Sequence, residues 1–259
     1  MALYADIHKL GRLWLARFFL EFGLNIEYND LHANIKGGAI LNLICISASN
    51  IVHQNAKDST SYKICEILTG EVMKKMPGVE SGIIELRNKS ILPCVGCGNC
   101  FHSHRCIVDD DFNDIYEEMI RADIVFIVSP HYAPIPAKLA AVLEKMEQIT
   151  FLHWGKNNDY QSEVFGKPTG IISHGGGESW ALESYKRMVN DTIANALDTI
   201  QLKLIPFSHE WNTGISLPVK KATFHEDGVF PLQEYDWGFI TAEISAYVDQ
   251  VITVVRHTI

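Results

Sequence analysis

The chain is short of positive charge. Its 259 residues carry 22 Lys and Arg against 31 Asp and Glu, a formal net charge of -9 at pH 7. That balance argues against a surface built for phosphate backbones, so no nucleic-acid partner is expected. Long apolar runs are also missing. The stretch from Leu13 to Leu24 is broken by Arg17 and Glu21, and no small-residue cleavage site follows, so no secretory signal is read there. The uncharged run from Gly37 to Ala56 is full of Ser, Asn, Gln and Gly, which makes it a poor membrane span. There is no internal repeat and no low-complexity segment. A P-loop lysine and a dinucleotide fingerprint are likewise absent. What remains is an ordinary globular composition, 47% hydrophobic and 20% charged, at a length that supports a sizeable core.

Cysteine is scarce but concentrated. Of six in the chain, four fall in one short run as Cys94, Cys97, Cys100 and Cys106, a C-x2-C-x2-C-x5-C pattern. Three thiolates at successive three-residue steps let one loop wrap one face of a compact inorganic core, and the fourth closes it. That suits a cubane iron–sulfur cluster, which takes four soft sulfur ligands. Two other readings stay open. A structural zinc, with His102 or His104 in place of one cysteine, usually draws on two separated pairs. An empty loop is the other, because spacing shows capacity and not occupancy. Cys45 and Cys65 fall in a predicted strand and helix and read as small buried hydrophobes rather than disulfide partners. Clustered reduced thiols fit a cytoplasmic setting.

Residues 1–36 read as an N-terminal helical extension, with Leu3, Ile7, Leu10, Trp14 and Phe18 along one face. From Gly37 to residue 259 strands and helices alternate. Predicted strands are Ala39–Ser47, Gly82–Leu86, Asp123–Ser129, Pro168–His174 and Leu202–Phe207. Predicted helices are Ser59–Lys75, Asp109–Arg121, Pro136–Ile149, Ser179–Thr199 and Trp237–His257, with the cysteine loop spanning residues 93–108 and residues 208–235 irregular. Five short apolar strands alternating with helices imply an α/β fold with a parallel sheet covered on both faces. Such sheets bind ligands beyond the carboxyl ends of their strands. Three loops fall there. The first follows Ser47 and brings Ser49, Ser59, Thr60 and Ser61 to a helix N-terminus, where hydroxyls and free N–H groups hold a phosphate or simply cap the helix. The second is Ser129-Pro130-His131-Tyr132-Ala133-Pro134, stiff and carrying a tyrosine suited to a flat ring. The third is His174-Gly175-Gly176-Gly177-Glu178, which permits close backbone approach to a ligand.

Together these loops resemble the flavodoxin-like NAD(P)H-dependent FMN reductase family and its iron–sulfur flavoprotein branch. The likeness covers about residues 40 to 180. The family's Gly-Ser-Pro-Arg phosphate loop corresponds to Ala48-Ser49-Asn50-Ile51, without the glycine and proline. Its Ser-Pro-x-Tyr loop is intact as Ser129 to Tyr132. The Asp-Arg that follows is Glu144-Lys145, the Gly-Lys before the fourth strand is Gly166-Lys167, and the glycine loop matches His174 to Glu178. The resemblance implies a flavodoxin-like three-layer sandwich with a five-stranded parallel sheet in the order 2-1-3-4-5. It implies FMN held by Ser47, Ser49, Ser59, Thr60 and Ser61, by Ser129, Pro130, His131, Tyr132 and Ala133, and by His174, Gly175, Gly176 and Gly177. Cys94, Cys97, Cys100 and Cys106 become ligands of a 4Fe-4S cluster. NAD(P)H or a ferredoxin-type protein is the implied electron donor, a small molecule or protein the acceptor, and a homodimer or homotetramer the implied assembly. No residue stands out as an obligatory general acid or base. A cluster-free reductase of the same fold and a zinc-stabilised interaction module are the competing functions.

Overall fold

The structure, a computed structural model, describes residues 41–50, 59–226 and 231–258. The expected extension over residues 1–36 lies outside them, as does the stretch 51–58 of the first loop. In chain order the elements are β1 (Asn42–Ser47), α1 (Thr60–Lys75), β2 (Glu80–Glu85), α2 (Cys100–Ser103), α3 (Asp110–Arg121), β3 (Ile124–Pro130), α4 (Ala137–Trp154) and β4 (Pro168–His174). Then come α5 (Leu182–Tyr185), a π-helical turn over Lys186–Asn190, α6 (Asp191–Ile200), β5 (Lys203–Leu204), β6 (Ile215–Leu217), a hairpin of β7 (Lys221–Thr223) and β8 (Leu232–Glu234), and α7 (Trp237–Thr258).

The sheet runs β2-β1-β3-β4-β5, all parallel, with β6 also paired to β4. Alternate residues of each strand feed opposite cores. Ile44, Ile46, Val125 and Ile127 pack with Phe112, Tyr116, Leu139, Met146 and Ile193 from α3, α4 and α6. Leu43, Cys45, Ile124, Phe126 and Val128 pack with Ile64, Leu68, Ile240, Ile244 and Tyr247 from α1 and α7. Period-two alternation with both faces buried is why β1 and β3 read as unbroken apolar runs. The last helix is long and apolar enough to cross a membrane, yet its residues from Ile240 to Val255 that face the sheet are buried there as core.

The expected fifth strand needs correction. It spans two residues and not six, and a sixth strand takes over its ladder. Ile205 N still donates to Thr169 O at 2.9 Å, but Phe207 N, the next donor facing β4, turns to the Trp211 carbonyl at 3.0 Å. The chain leaves the sheet there and re-enters at Gly214. Because β4 pairs β5 only at Pro168 and Thr169, and β6 only from Ile172 onward, the ladder has a gap. Tyr247 fills it. Its hydroxyl accepts from Ile171 N at 3.2 Å and donates to Ile205 O at 2.6 Å, which satisfies two buried backbone groups. The region expected to be irregular thus supplies β6 and a hairpin.

Gly214 returns the chain at φ +111°, and a β-carbon there would run into the carbonyl oxygen of Ile171. Gly214→Ala combines left-handed strain with a backbone clash and is expected to cost about 3 kcal/mol or more. Urea unfolding measures it, with Gly78→Ala as the comparison, where φ is +95° but the space is open.

Candidate functional site

The in-register strands set the first three loops at one level. Ser47 pairs with Val128, Ser129 with Ser173 and Pro130 with His174. The ladder continues one residue further, through Ala48 N to Val128 O at 2.9 Å and His131 N to His174 O at 2.8 Å. Ser59 caps α1, its hydroxyl accepting from Tyr62 N at 3.4 Å, and no acidic residue stands in the first turn. The positive end of that helix dipole is therefore left for an anion.

Beneath this edge lies a buried polar layer. Ser61 Oγ and His174 Nε2 are 2.7 Å apart, and Ser173 Oγ and Ser216 Oγ are 2.8 Å apart. Burial pushes the His174 pKa down to about 4, so the imidazole is neutral at pH 7. One ring nitrogen of His174, a residue expected to contact the flavin, meets Ser61. The hydroxyl of Ser129 is likewise turned back onto the Pro130 carbonyl at 3.1 Å, and Ser47 is buried.

More accessible groups surround the cleft above. Tyr132 keeps 36% of its surface exposed. Burial of the rest raises its phenol's pKa, while a hydrogen bond with Ser49 pulls it back. That bond joins the first loop to the second. Ala133 holds φ +48°, and Tyr132 N donates to Pro134 O at 3.0 Å. The glycine loop is shaped from behind. Gly177 N donates to the Tyr185 hydroxyl at 2.6 Å, and a β-carbon on Gly175 or Gly177 would strike that tyrosine. Two of the three glycines are therefore required by packing against Tyr185, which sequence reading did not single out.

The four clustered cysteines form a second centre, against α4. Cys94, Cys97, Cys100 and Cys106 line one small cleft with Val95, Lys145 and Ile149. Gly96 and Gly98 take φ of +65° and +72° to turn the loop. Gly96 N donates to Cys94 Sγ at 3.4 Å. The backbone and side chain of Asn99 lower the Cys97 pKa, while burial, reinforced by the other three thiols, raises that of Cys100. Among the described residues no group of three or more His, Cys, Asp or Glu side chains is arranged for a single metal ion. A mononuclear zinc gathers its sulfurs to about 2.3 Å from one point. The four thiols offer a set of soft sulfur donors around one cleft.

The loop is staked by protein alone. Asp109 Oδ2 accepts from Leu92 N at 2.9 Å, and its Oδ1 caps α3 at Phe112 N, 3.0 Å. Lys145 Nζ lies 3.2 Å from Asp109, with side chains 3% and 1% exposed, and 3.4 Å from Pro93 O. Glu144 accepts from Cys94 N at 3.0 Å. Asn113 grips Cys106 through both amide atoms, at 2.9 and 2.7 Å. The Glu144-Lys145 pair was visible in the sequence only as a variant of a family dipeptide, and Asn113 carried no signal.

Two outcomes follow from this geometry. Asp109→Ala removes the cap, frees Leu92 N and strands a buried lysine charge, so it is expected to cost about 3–5 kcal/mol in urea unfolding. For His174, the unfolded chain takes up its proton near pH 6.5 and the folded chain near 4. Its contribution is complete above the upper value and is lost as pH falls to the lower one, about 3 kcal/mol in all. Denaturation midpoints between those limits should fall for the native chain relative to His174→Gln. Parallel curves would contradict a buried neutral imidazole.

Comparison with known proteins agrees with this architecture. Residues 43–206 match the model of the NADPH-dependent FMN reductase family. The chain is 33% identical over 84 residues to an iron-sulfur flavoprotein of Methanosarcina thermophila, a match covering 31% of this chain and 44% of that protein. It is 29% identical over 90 residues to one of Archaeoglobus fulgidus, covering 34% and 46%. The chain thus spans less than half the length of the curated relatives it matches. Among solved structures, RosB with a bound riboflavin-phosphate intermediate has a TM-score of 0.51 at 14% identity, over 84% of this chain and 79% of that one. An oxidoreductase from Corynebacterium diphtheriae has 0.51 at 12%, over 83% and 97%; likeness at this level speaks for the fold. Sheet order, loop placement and a family match over more than half its length together establish that this chain belongs to the NADPH-dependent FMN reductase family.

Proposed function

We propose that this protein is an FMN-dependent oxidoreductase that passes electrons between the flavin and a 4Fe-4S cluster. The observation that carries the reading is that α4 serves both centres. Its start follows directly from the Tyr132 loop, and Glu144 and Lys145, two turns along, hold the cysteine loop. At a rise of 1.5 Å per residue, Ala137 and Lys145 are about 12 Å apart.

Thr60, Ser49 and the uncompensated N-terminus of α1 would hold the flavin phosphate. Tyr132 and the glycine loop would flank the ring. Cys94, Cys97, Cys100 and Cys106 would ligate the cluster, and Lys145 offsets part of its negative charge. When bound, the flavin accepts two electrons and releases them singly, while the cluster carries one at a time. The protein's own share is to orient the ring, exclude water with the packed wall behind Gly177, and set both potentials by hydrogen bonds and charge. NAD(P)H or a ferredoxin-type protein is the donor in this reading, and a small molecule or protein the acceptor. The working unit is a homodimer or homotetramer.

Purification without oxygen, followed by a UV–visible spectrum and iron and sulfide assays, tests the proposal. Flavin bands with a broad shoulder and about four irons per chain are expected, with iron lost in Cys97→Ser. Flavin without iron after anaerobic reconstitution would reduce the assignment to a cluster-free reductase. A colourless, zinc-bearing protein that takes up no FMN would overturn it.

A further inference from the structure

The cleft above β1, β3 and β4 has a fourth wall, and it comes from far along the chain. The Thr60 hydroxyl donates to the Tyr235 hydroxyl at 3.3 Å. Tyr235 in turn donates to Gln233 Oε1 at 2.6 Å. Gln233 Nε2 lies 2.9 Å from where a β-carbon on Gly176 would stand. A single segment, residues 233–235, thereby reaches from the start of α1 to the glycine loop. Tyr132 and Tyr185 are close enough to act electrostatically on the Tyr235 phenol, whose pKa is raised first by burial.

This wall is anchored by contacts other than the Tyr235 hydroxyl. Val219 N donates to Gly177 O at 3.0 Å, and Lys220 N to Glu234 O at 2.7 Å. Ala222 N donates to Glu178 Oε1 at 3.3 Å. The Tyr235 ring packs against Trp237 at 5.0 Å, and Lys63 of α1 sits 3.7 Å over Trp237. The hairpin therefore does not need the Tyr235 hydroxyl to form. That O–H is directed at an uncharged carboxamide while standing beside the hydroxyl at the positive end of α1. An anion placed there is the stronger acceptor, since charge-assisted hydrogen bonds are roughly twice as strong as neutral ones. The matched family region ends at residue 206, so this wall lies outside it.

We propose that Tyr235 is a phosphate-end ligand of the flavin site, supplied by the segment after β8, and that its single proton turns from the Gln233 carboxamide to the phosphate when FMN binds. The proposal rests on the FMN reading above. It makes Tyr235 a specificity determinant, favouring a flavin that carries a phosphate monoester over one that ends in a free hydroxyl.

Binding of FMN and of riboflavin to the full-length apoprotein, followed by flavin fluorescence, tests it. Tyr235→Phe keeps the ring and its packing. It is expected to weaken FMN about tenfold and riboflavin less than twofold, which lowers the ratio of the two affinities. Gln233→Ala removes the competing acceptor and should not lower the ratio. Leu232→Ala, on the exposed side of the hairpin, should leave it unchanged, and unfolding midpoints report that each variant is folded. An unchanged ratio in Tyr235→Phe, or an equal fall in Leu232→Ala, overturns the assignment of Tyr235 while leaving the flavin reading intact. A native chain that binds neither flavin overturns both.

Discussion

The structure depends on one constraint: β1, β3 and β4 are parallel, adjacent and buried on both faces. Interior strands of that kind must satisfy every backbone group with a neighbour, and their side chains leave no room for water. Polar chemistry is therefore expelled to the carboxyl ends. The register ends Ser47, Pro130 and His174 at nearly one level, so three loops from distant parts of the sequence open onto one cleft. The hydroxyl and imidazole layer just below it is the floor that this arrangement makes necessary. Ser61, His174, Ser173 and Ser216 pair among themselves because no solvent reaches them.

Much of this was legible in the residues. Continuous apolar runs such as Ile124 to Val128 are strands because only a sheet buried on both faces tolerates them, and Asp109 to Asp111 announces a helix start through its charge. The placement of Tyr132 in a loop followed from the same alternation, and the clustered cysteines lie in the expected segment, although Cys100 opens the short helix α2. What stayed hidden depends on contacts between residues distant in sequence. Tyr247 replaces a missing ladder rung, and nothing in its local sequence says so. Gly175 and Gly177 read as ligand-facing, but they are small mainly because Tyr185 stands behind them. That His174 would meet Ser61 could not be read from its local sequence. The fifth strand was overextended because Leu202 to Phe207 is apolar apart from Lys203, and nothing local announced that Phe207 N would turn to the Trp211 carbonyl.

The helix Ala137–Trp154 links the two centres in a way that periodicity could not reveal. Lys145 is almost fully buried, unusual for a lysine unless it is paired. Its partners, Asp109 and the Pro93 carbonyl, lie at opposite ends of the cysteine loop. One cation thus fixes both the entry and the exit of that loop, and its charge lies beside the four thiols. Arg105 adds an outer tie to Glu163 at 2.7 Å.

That clamp has a consequence for the life of the protein in air. Where a metal supplies the folding energy, as in small zinc domains, its loss unravels the chain. Here Asp109, Asn113, Glu144 and Lys145 hold the thiols in place with carboxylates, an amide and an ammonium that oxygen does not attack. A sulfur-bound group destroyed by oxidation would leave behind a shaped mould and not a collapsed loop. Were that group the proposed cluster, renewal would ask only for iron, sulfide and reduced thiols, on a loop already in place.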